Sequence, residues 1–256
     1  MGKISDRLGY TILKFIAPKH KYAIKTTDAE QEVEETKLQL YFGNDFFVSI
    51  RDKVVIDFGC GKGIQSVEMA QKGASKVIGL DIQEHLLEYG KEYAEQNGLN
   101  ECCVFKTTSD ELADIIISKD AFEHFSDPSA ILQVMSTLLK PDGYVLAAFG
   151  PTWLHPYGGH LFSVFPWSHL LFTEKAQIQW RADFKTDGAT KFLDVAGGLN
   201  QLTISEFEKI IATSPFEFEW LETIPIKGIS LFKSKFFREI GTSIVRCKLK
   251  LKANFK

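Results

Sequence analysis

The sequence predicts an α/β fold of the doubly wound class, a mostly parallel sheet with helices on both faces. Three observations carry that expectation. Five short apolar runs, at residues 54–58, 76–80, 102–106, 114–118 and 144–149, alternate with stretches of helical composition. The first run passes directly into Gly59, Gly61 and Gly63, glycines at alternate positions, as a strand does when it enters a helix through a tight turn. Before the fifth run, Leu139-Lys140-Pro141-Asp142-Gly143 ends a helix and turns the chain back into the sheet.

Val54-Val55-Ile56-Asp57-Phe58 is apolar but for Asp57, which suits a parallel strand covered on both faces. Residues 64–71 then form a helix whose N-terminus meets the glycine turn, so that backbone N–H groups can face a polar or anionic ligand. The second strand ends at Asp81, one βαβ unit further on, where a carboxylate can accept hydrogen bonds from both hydroxyls of a ribose. Residues 84–96 read as a helix stopped by Asn97-Gly98, and residues 129–139 as an amphipathic helix. Thr203 and Glu206 spell a capping box for a later helix.

Composition sets bounds. The 256 residues, 45% hydrophobic and 25% charged, suffice for one substantial core, so a single domain with insertions is expected. A formal net charge of −3 gives no reason to expect a nucleic-acid partner, whose phosphate backbone demands a basic face. Four cysteines, with Cys102 and Cys103 adjacent, make neither a secreted disulfide framework nor a metal-ligand spacing and point to a reducing cytoplasm. No apolar run reaches the roughly 18 residues of a membrane span. In Met1-Gly2-Lys3-Ile4-Ser5-Asp6 the serine stands one place early for myristoylation, and Asp6 and Arg7 spoil a secretory leader, so neither signal is expected.

The glycine turn separates two kinds of nucleoside ligand. A dinucleotide fingerprint needs a glycine three places after Gly61, where Ile64 stands. Asp57, two places before Gly59, would repel a pyrophosphate but suits the ammonium of an amino acid. Asp57, Gly59, Gly61 and Gly63, with Asp81 closing the second strand, resemble the first motifs of the class I, Rossmann-like S-adenosylmethionine-dependent methyltransferases. That resemblance implies a seven-stranded sheet with an antiparallel hairpin at residues 216–224 and 244–251, S-adenosylmethionine as cofactor, S-adenosylhomocysteine as product, and no metal. It places Asp57 at the amino-acid end of the cofactor and Gly59, Cys60, Gly61 and Gly63 beneath it. Asp81 goes to the ribose, with Ile82 beside it, Ser109 or Asp110 to the adenine amino group, and Lys119 joins the cofactor contacts. The Cys60 side chain reads as packing, and a helix cap explains Ser109 equally well.

Ligands of open α/β sheets gather beyond the carboxyl ends of the strands, and Lys119-Asp120-Ala121-Phe122-Glu123-His124 follows the fourth. Asp120 and His124 are four apart and share a face if the segment is helical, so the carboxylate could orient an imidazole base for a hydroxyl or amine acceptor. Phosphoethanolamine methyltransferases show a similar Ser-basic-Asp arrangement followed by a histidine used in this way; a structural duty for the Glu-His pair is the alternative.

Residues 150–200, dense in aromatics and histidines, are too long for a plain connection and read as a lid or binding loop. Trp153, Tyr157, Phe162 and Trp167 are expected to wall an acceptor pocket, with His155 or His160 as an alternative base. His155, His160 and His169 fit no tight zinc motif, so no metal site is expected. Near the N-terminus, Ile4, Leu8, Ile12 and Phe15, with Lys3, Arg7 and Lys14 between them, spell a short amphipathic helix ended near Pro18. It docks on the protein itself, on a membrane surface or over the substrate. The acidic residues 28–36 read as a solvated helix start. Residues 227–256 carry nine lysines and arginines against Glu239 alone, with Leu231, Phe232, Phe236 and Phe237 interleaved. They read as a lysine-protected edge strand, or as a contact for an anionic membrane or a phosphate-bearing substrate.

The expected organisation is a helical cap at 1–50, a cofactor core at 51–150, an acceptor insertion at 151–200 and a helix with a hairpin at 201–256. The expected function is methylation of a small-molecule oxygen by in-line displacement with a His/Asp base, in the cytoplasm or peripheral to a membrane. Nitrogen or carbon acceptors, including lipid-like ones, remain open. A non-catalytic cofactor-binding or scaffold protein is the rival from another class, and a nicotinamide-dependent dehydrogenase is disfavoured by Ile64 and Asp57.

Overall fold

Seven strands form one sheet in the computed structural model, which describes residues 4–17, 37–195 and 197–255. The first three residues, Pro18 and the acidic stretch 28–36 lie outside the described residues. The strands are β1 (Val54–Phe58), β2 (Lys76–Leu80), β3 (Cys103–Lys106), β4 (Ala113–Lys119), β5 (Leu139–Phe149), β6 (Phe216–Pro225) and β7 (Thr242–Leu251). Their order is β3-β2-β1-β4-β5-β7-β6, with β1 to β5 mutually parallel and β7 antiparallel to both β5 and β6. The order reverses between β1 and β4, which opens a crevice beyond their carboxyl ends.

The apolar runs are buried on both faces because helices cover both. Ile56, Ile78 and Ile116 point into one core with Phe122, Phe149 and Phe207. Their neighbours Val55, Val77, Ile115 and Ile117 point into the other, the period of two expected of strands. The helices are α1 (Asp6–Ile16), α2 (Lys37–Phe42), α3 (Phe46–Ser49), α4 (Ile64–Gln71), α5 (Glu84–Gln96), α6 (Pro128–Thr137), α7 (Ser168–Leu171), α8 (Glu174–Ala182), α9 (Ile204–Thr213) and α10 (Arg238–Gly241). The capping box forms as expected: Glu206 N–H donates to Thr203 Oγ1 and Thr203 N–H to Glu206 Oε2.

Three local expectations are corrected. Residues 107–112 carry no helix between β3 and β4, so Ser109 caps none; its hydroxyl accepts the Glu111 N–H at 3.1 Å. The helix before β5 stops at Thr137, and β5 starts at Leu139 opposite Ala113. Lys140 to Gly143 bulge out of that ladder, held by the ion pair of Lys140 with Asp114 at 3.0 Å. At the N-terminus, α1 buries Gly9 and Leu13, while Leu8 and Phe15 stay exposed. Gly9 decides the buried face: a Cβ there would meet Ala176 at 3.0 Å and Phe172 at 3.1 Å, so its bareness lets α1 lie against α8.

That contact builds a third core of Leu13, Ala17, Phe162, Phe172, Trp180 and Phe192, shared by α1 and the insertion. Thr173 Oγ1 donates to Asp6 at 2.6 Å, Trp180 Nε1 to the Ala17 carbonyl at 3.0 Å, and Tyr10 OH to the Asp183 carboxylate. The insertion is therefore a packed layer with its own buried side chains, seated at the carboxyl end of β5.

Candidate active site

The turn after β1 shows why each glycine stands there. Gly59, Gly61 and Gly63 have φ of +81°, +52° and +71°, a region that costs any other L-residue about 1–2 kcal/mol. A Cβ on Gly63 would lie 2.2 Å from the Phe105 ring and one on Gly59 2.9 Å from Ala121, so these two serve close packing. Around Gly61 nothing lies within 4 Å of the same position, so its face is open to a ligand. Replacing Gly63 by alanine should therefore cost about 3 kcal/mol or more in urea denaturation, strain and overpacking combined, whereas Gly61→Ala should cost only about 1 kcal/mol.

Asp81 holds this turn. Its carboxylate accepts the Gly61 N–H and the Gln83 N–H, both at 2.9 Å, and each oxygen keeps a lone pair for a further donor. Ile82 beside it is 89% exposed, an apolar side chain that the protein leaves uncovered. Cys60 is half buried in the turn, and burial pushes its thiol far up, so it packs and does not act as a nucleophile. The α4 N-terminus starts at Gly63 with no side-chain cap, which leaves its first N–H groups to a ligand.

Asp57 lies on β1 opposite Gly79 and Ile117 and is buried. Its Oδ2 accepts the Ser66 hydroxyl at 2.6 Å, a donor brought in by α4. Burial pushes the Asp57 carboxyl up to about 6, against the Ser66 bond and the Lys119 charge, which pull it down. The protein thus pays a desolvation cost to keep a carboxylate at the head of the crevice.

At the end of β4 the expected pair of Asp120 and His124 does not form. Residues 120–125 make a turn, with Asp120 at φ +51° and His124 N–H bonded to the Ala121 carbonyl, not a helix that would stack residues four apart. Asp120 pairs instead with Lys119 at 2.6 Å, and that lysine, nearly buried, lies under the Tyr41 ring at 5.4 Å. His124 Nδ1 lies 2.8 Å from the Gly198 carbonyl, which can only accept, so Nδ1 carries a proton and the tautomer with its lone pair on Nε2 is the one the fold selects. The ring meets His160 edge to face at 5.3 Å. Burial, then the neighbouring His124, hold the His160 pKa down to about 4, so that ring is neutral near neutral pH.

The remaining expectations divide. His155 is buried with Nδ1 accepting the Tyr157 N–H at 3.0 Å, which ties the ring into its own turn and away from His124 and His160. His169 is bridged between the Ser163 hydroxyl and the Trp153 carbonyl. Of the expected pocket walls, Phe162 lies in the third core and Trp153 packs on His169 and Phe192, while Tyr157 and Trp167 are exposed. Ser109 and Asp110 sit in the loop after β3, Asp110 exposed.

Ser66 and Tyr41 were not singled out from the sequence, and Glu123 was named there only as half of a structural Glu-His pair. Glu123 is buried, its Oε1 accepts the Gly150 N–H at 3.2 Å, and burial pushes its carboxyl up to about 8. Among the described residues its Oε2 has no partner, nor do Ser118 Oγ on β4, Thr152 Oγ1 just beyond β5 and His160 Nε2 in the insertion. A hydroxyl in the first turn of the helix that follows the glycines was the signal for Ser66; Tyr41 carried none.

Residues 50–151 match the family described as methyltransferase domain. This stretch is similar to that family, and it lies in a sheet of Rossmann-like strand order. The chain is also similar to ubiquinone biosynthesis O-methyltransferases. It is 33% identical to that of Haemophilus ducreyi over 155 residues, which covers 50% of this chain and 65% of the relative. It is 33% identical to that of Stutzerimonas stutzeri over 142 residues, covering 52% and 60%. The chain thus spans less than two thirds of the length of these curated relatives. Among solved structures, an S-adenosylmethionine-dependent methyltransferase from Mesorhizobium loti superposes with a TM-score of 0.52 over 78% of this chain and 91% of its own, at 15% identity, a likeness of fold. The matched stretch holds β1 to β5 and the glycine turn, so the crevice described above lies within it.

Proposed function

We propose that the chain transfers a methyl group from S-adenosylmethionine to an oxygen of a small-molecule acceptor. The observation that carries this reading is the buried Asp57 carboxyl, held by Ser66 at the head of a crevice whose floor is the open face of Gly61. A carboxylate in that place takes an ammonium, and the Asp81 oxygens with their spare lone pairs take hydroxyls. Exposed Ile82 offers a flat apolar ring a cover, and the loop with Ser109 and Asp110 lies within the same domain. Bound there, S-adenosylmethionine supplies a methyl group already activated by its sulfonium.

The protein's own task is to align the acceptor, exclude water and take a proton. His124 does the last, with Nε2 as the free base and Nδ1 fixed on Gly198. His160, neutral and in contact with the His124 ring, shapes the acceptor side. An oxygen acceptor is favoured by a single imidazole base and by the names of the relatives, which are O-methyltransferases. The test is methyl transfer from radiolabelled S-adenosylmethionine to phenols with apolar tails of graded length. Label in the ether product supports the reading, and cofactor binding without transfer to any of them favours a non-catalytic binding protein.

A further inference from the structure

The link between β6 and β7, residues 226–241, is built as a rigid platform. Arg238 pairs with Glu208 at 2.7 Å, and Glu239 accepts the N–H groups of Ile204 and Ser205 at the start of α9. Gly241 lets the Phe232 ring pack where a Cβ would stand, at 2.0 Å. These contacts use up the segment's own acid and one of its cations. Left over are Lys227, Lys233 and Lys235, exposed and, among the described residues, in no ion pair. In the same segment Phe236 is 86% exposed, and Leu231 and Ile229 are exposed as well. Phe236 meets the edge of the Phe237 ring at 5.3 Å and leaves the rest of its surface to solvent beside these lysines.

We propose that this platform docks on an anionic lipid bilayer, with Phe236 and Leu231 entering the interface and the three lysines lying among the headgroups. Charge and apolarity together select that partner. Nucleic acid would meet the lysines but leave Phe236 and Leu231 idle in water, and a second copy of the chain would bring like charges together. A bilayer surface satisfies both. The placement also gives the contact a use. Phe149 at the end of β5 pairs with Val245 of β7, and a Cβ on Gly150 would lie 2.4 Å from the Ser243 carbonyl, so the platform stands at the same end of the sheet as the crevice, beyond the carboxyl ends of the parallel strands. Docking there holds the site beside the membrane.

The test is sedimentation of the full chain with vesicles, which needs no methyl transfer and so stands apart from the reading above. The chain should sediment with phosphatidylcholine vesicles containing phosphatidylglycerol, much less with phosphatidylcholine alone, and less as salt rises. Joint replacement Lys233→Ala and Lys235→Ala should weaken partition about thirtyfold, and Phe236→Ala about tenfold, with the melting temperature of each variant unchanged. Failure to sediment with the anionic vesicles overturns the proposal. So does Phe236→Ala partition equal to that of the parent chain, since charge alone would then account for the binding.

Discussion

Replacing His124 by alanine is expected to lower kcat by about a hundredfold to ten-thousandfold while the Kd for S-adenosylhomocysteine stays within about twofold of the parent value. The expectation rests on the ring's fixed tautomer: with Nδ1 donating to Gly198, the lone pair on Nε2 is what an acceptor hydroxyl would meet. Alanine also removes the bond to Gly198, so a second variant is needed. Asparagine keeps a donor for that carbonyl and loses the base, and His124→Asn should be as slow as alanine while melting close to the parent protein. Full turnover in the asparagine variant would assign the ring a purely structural duty.

The second large effect is expected at Asp57. Asp57→Asn keeps the shape and the Ser66 bond but removes the charge. Loss of a buried partner for an ammonium should weaken S-adenosylhomocysteine binding by about 2–4 kcal/mol, roughly thirtyfold to a thousandfold. The pH dependence gives an independent sign. The folded pKa of about 6 lies above that of an unfolded aspartate, about 3.9, so the group's stabilising contribution is complete below about pH 4 and is lost as pH rises through 6. The free asparagine variant should therefore be more stable than the parent by about 2–3 kcal/mol at pH 8 and no more stable at pH 4. Ligand affinity runs the other way. In the parent protein it should fall about tenfold per pH unit below 6, as the carboxylate is protonated, and in the asparagine variant it should stay flat. A variant that binds less tightly while folding more firmly separates ligand recognition from fold.

The sheet was legible because its strands are buried on both faces, and such strands write themselves as nearly continuous apolar runs: Val54 to Phe58 but for Asp57, Val77 to Leu80 and the isoleucines of β4. The glycine turn was legible in type, yet its division of labour was not. Only the position of Phe105, some forty residues on, shows that Gly63 serves packing, while the space beside Gly61 is left open. The Asp120 and His124 pairing failed because a four-residue spacing means contact only in a helix, and the positive φ of Asp120 starts a turn instead. Its true partner, Gly198, is 74 residues away, a distance no local pattern bridges. Two of the expected pocket walls failed for the same reason: Phe162 and Trp153 look like such walls until α1, from the far end of the chain, is seen to share a core with them.

The most direct measurement is a calorimetric titration of the chain with S-adenosylhomocysteine, repeated with NADH present. One molecule bound per chain, undisturbed by NADH, is the result expected of a crevice built on Asp57, Gly61 and Asp81. No heat with S-adenosylhomocysteine, or its displacement by NADH, would contradict it.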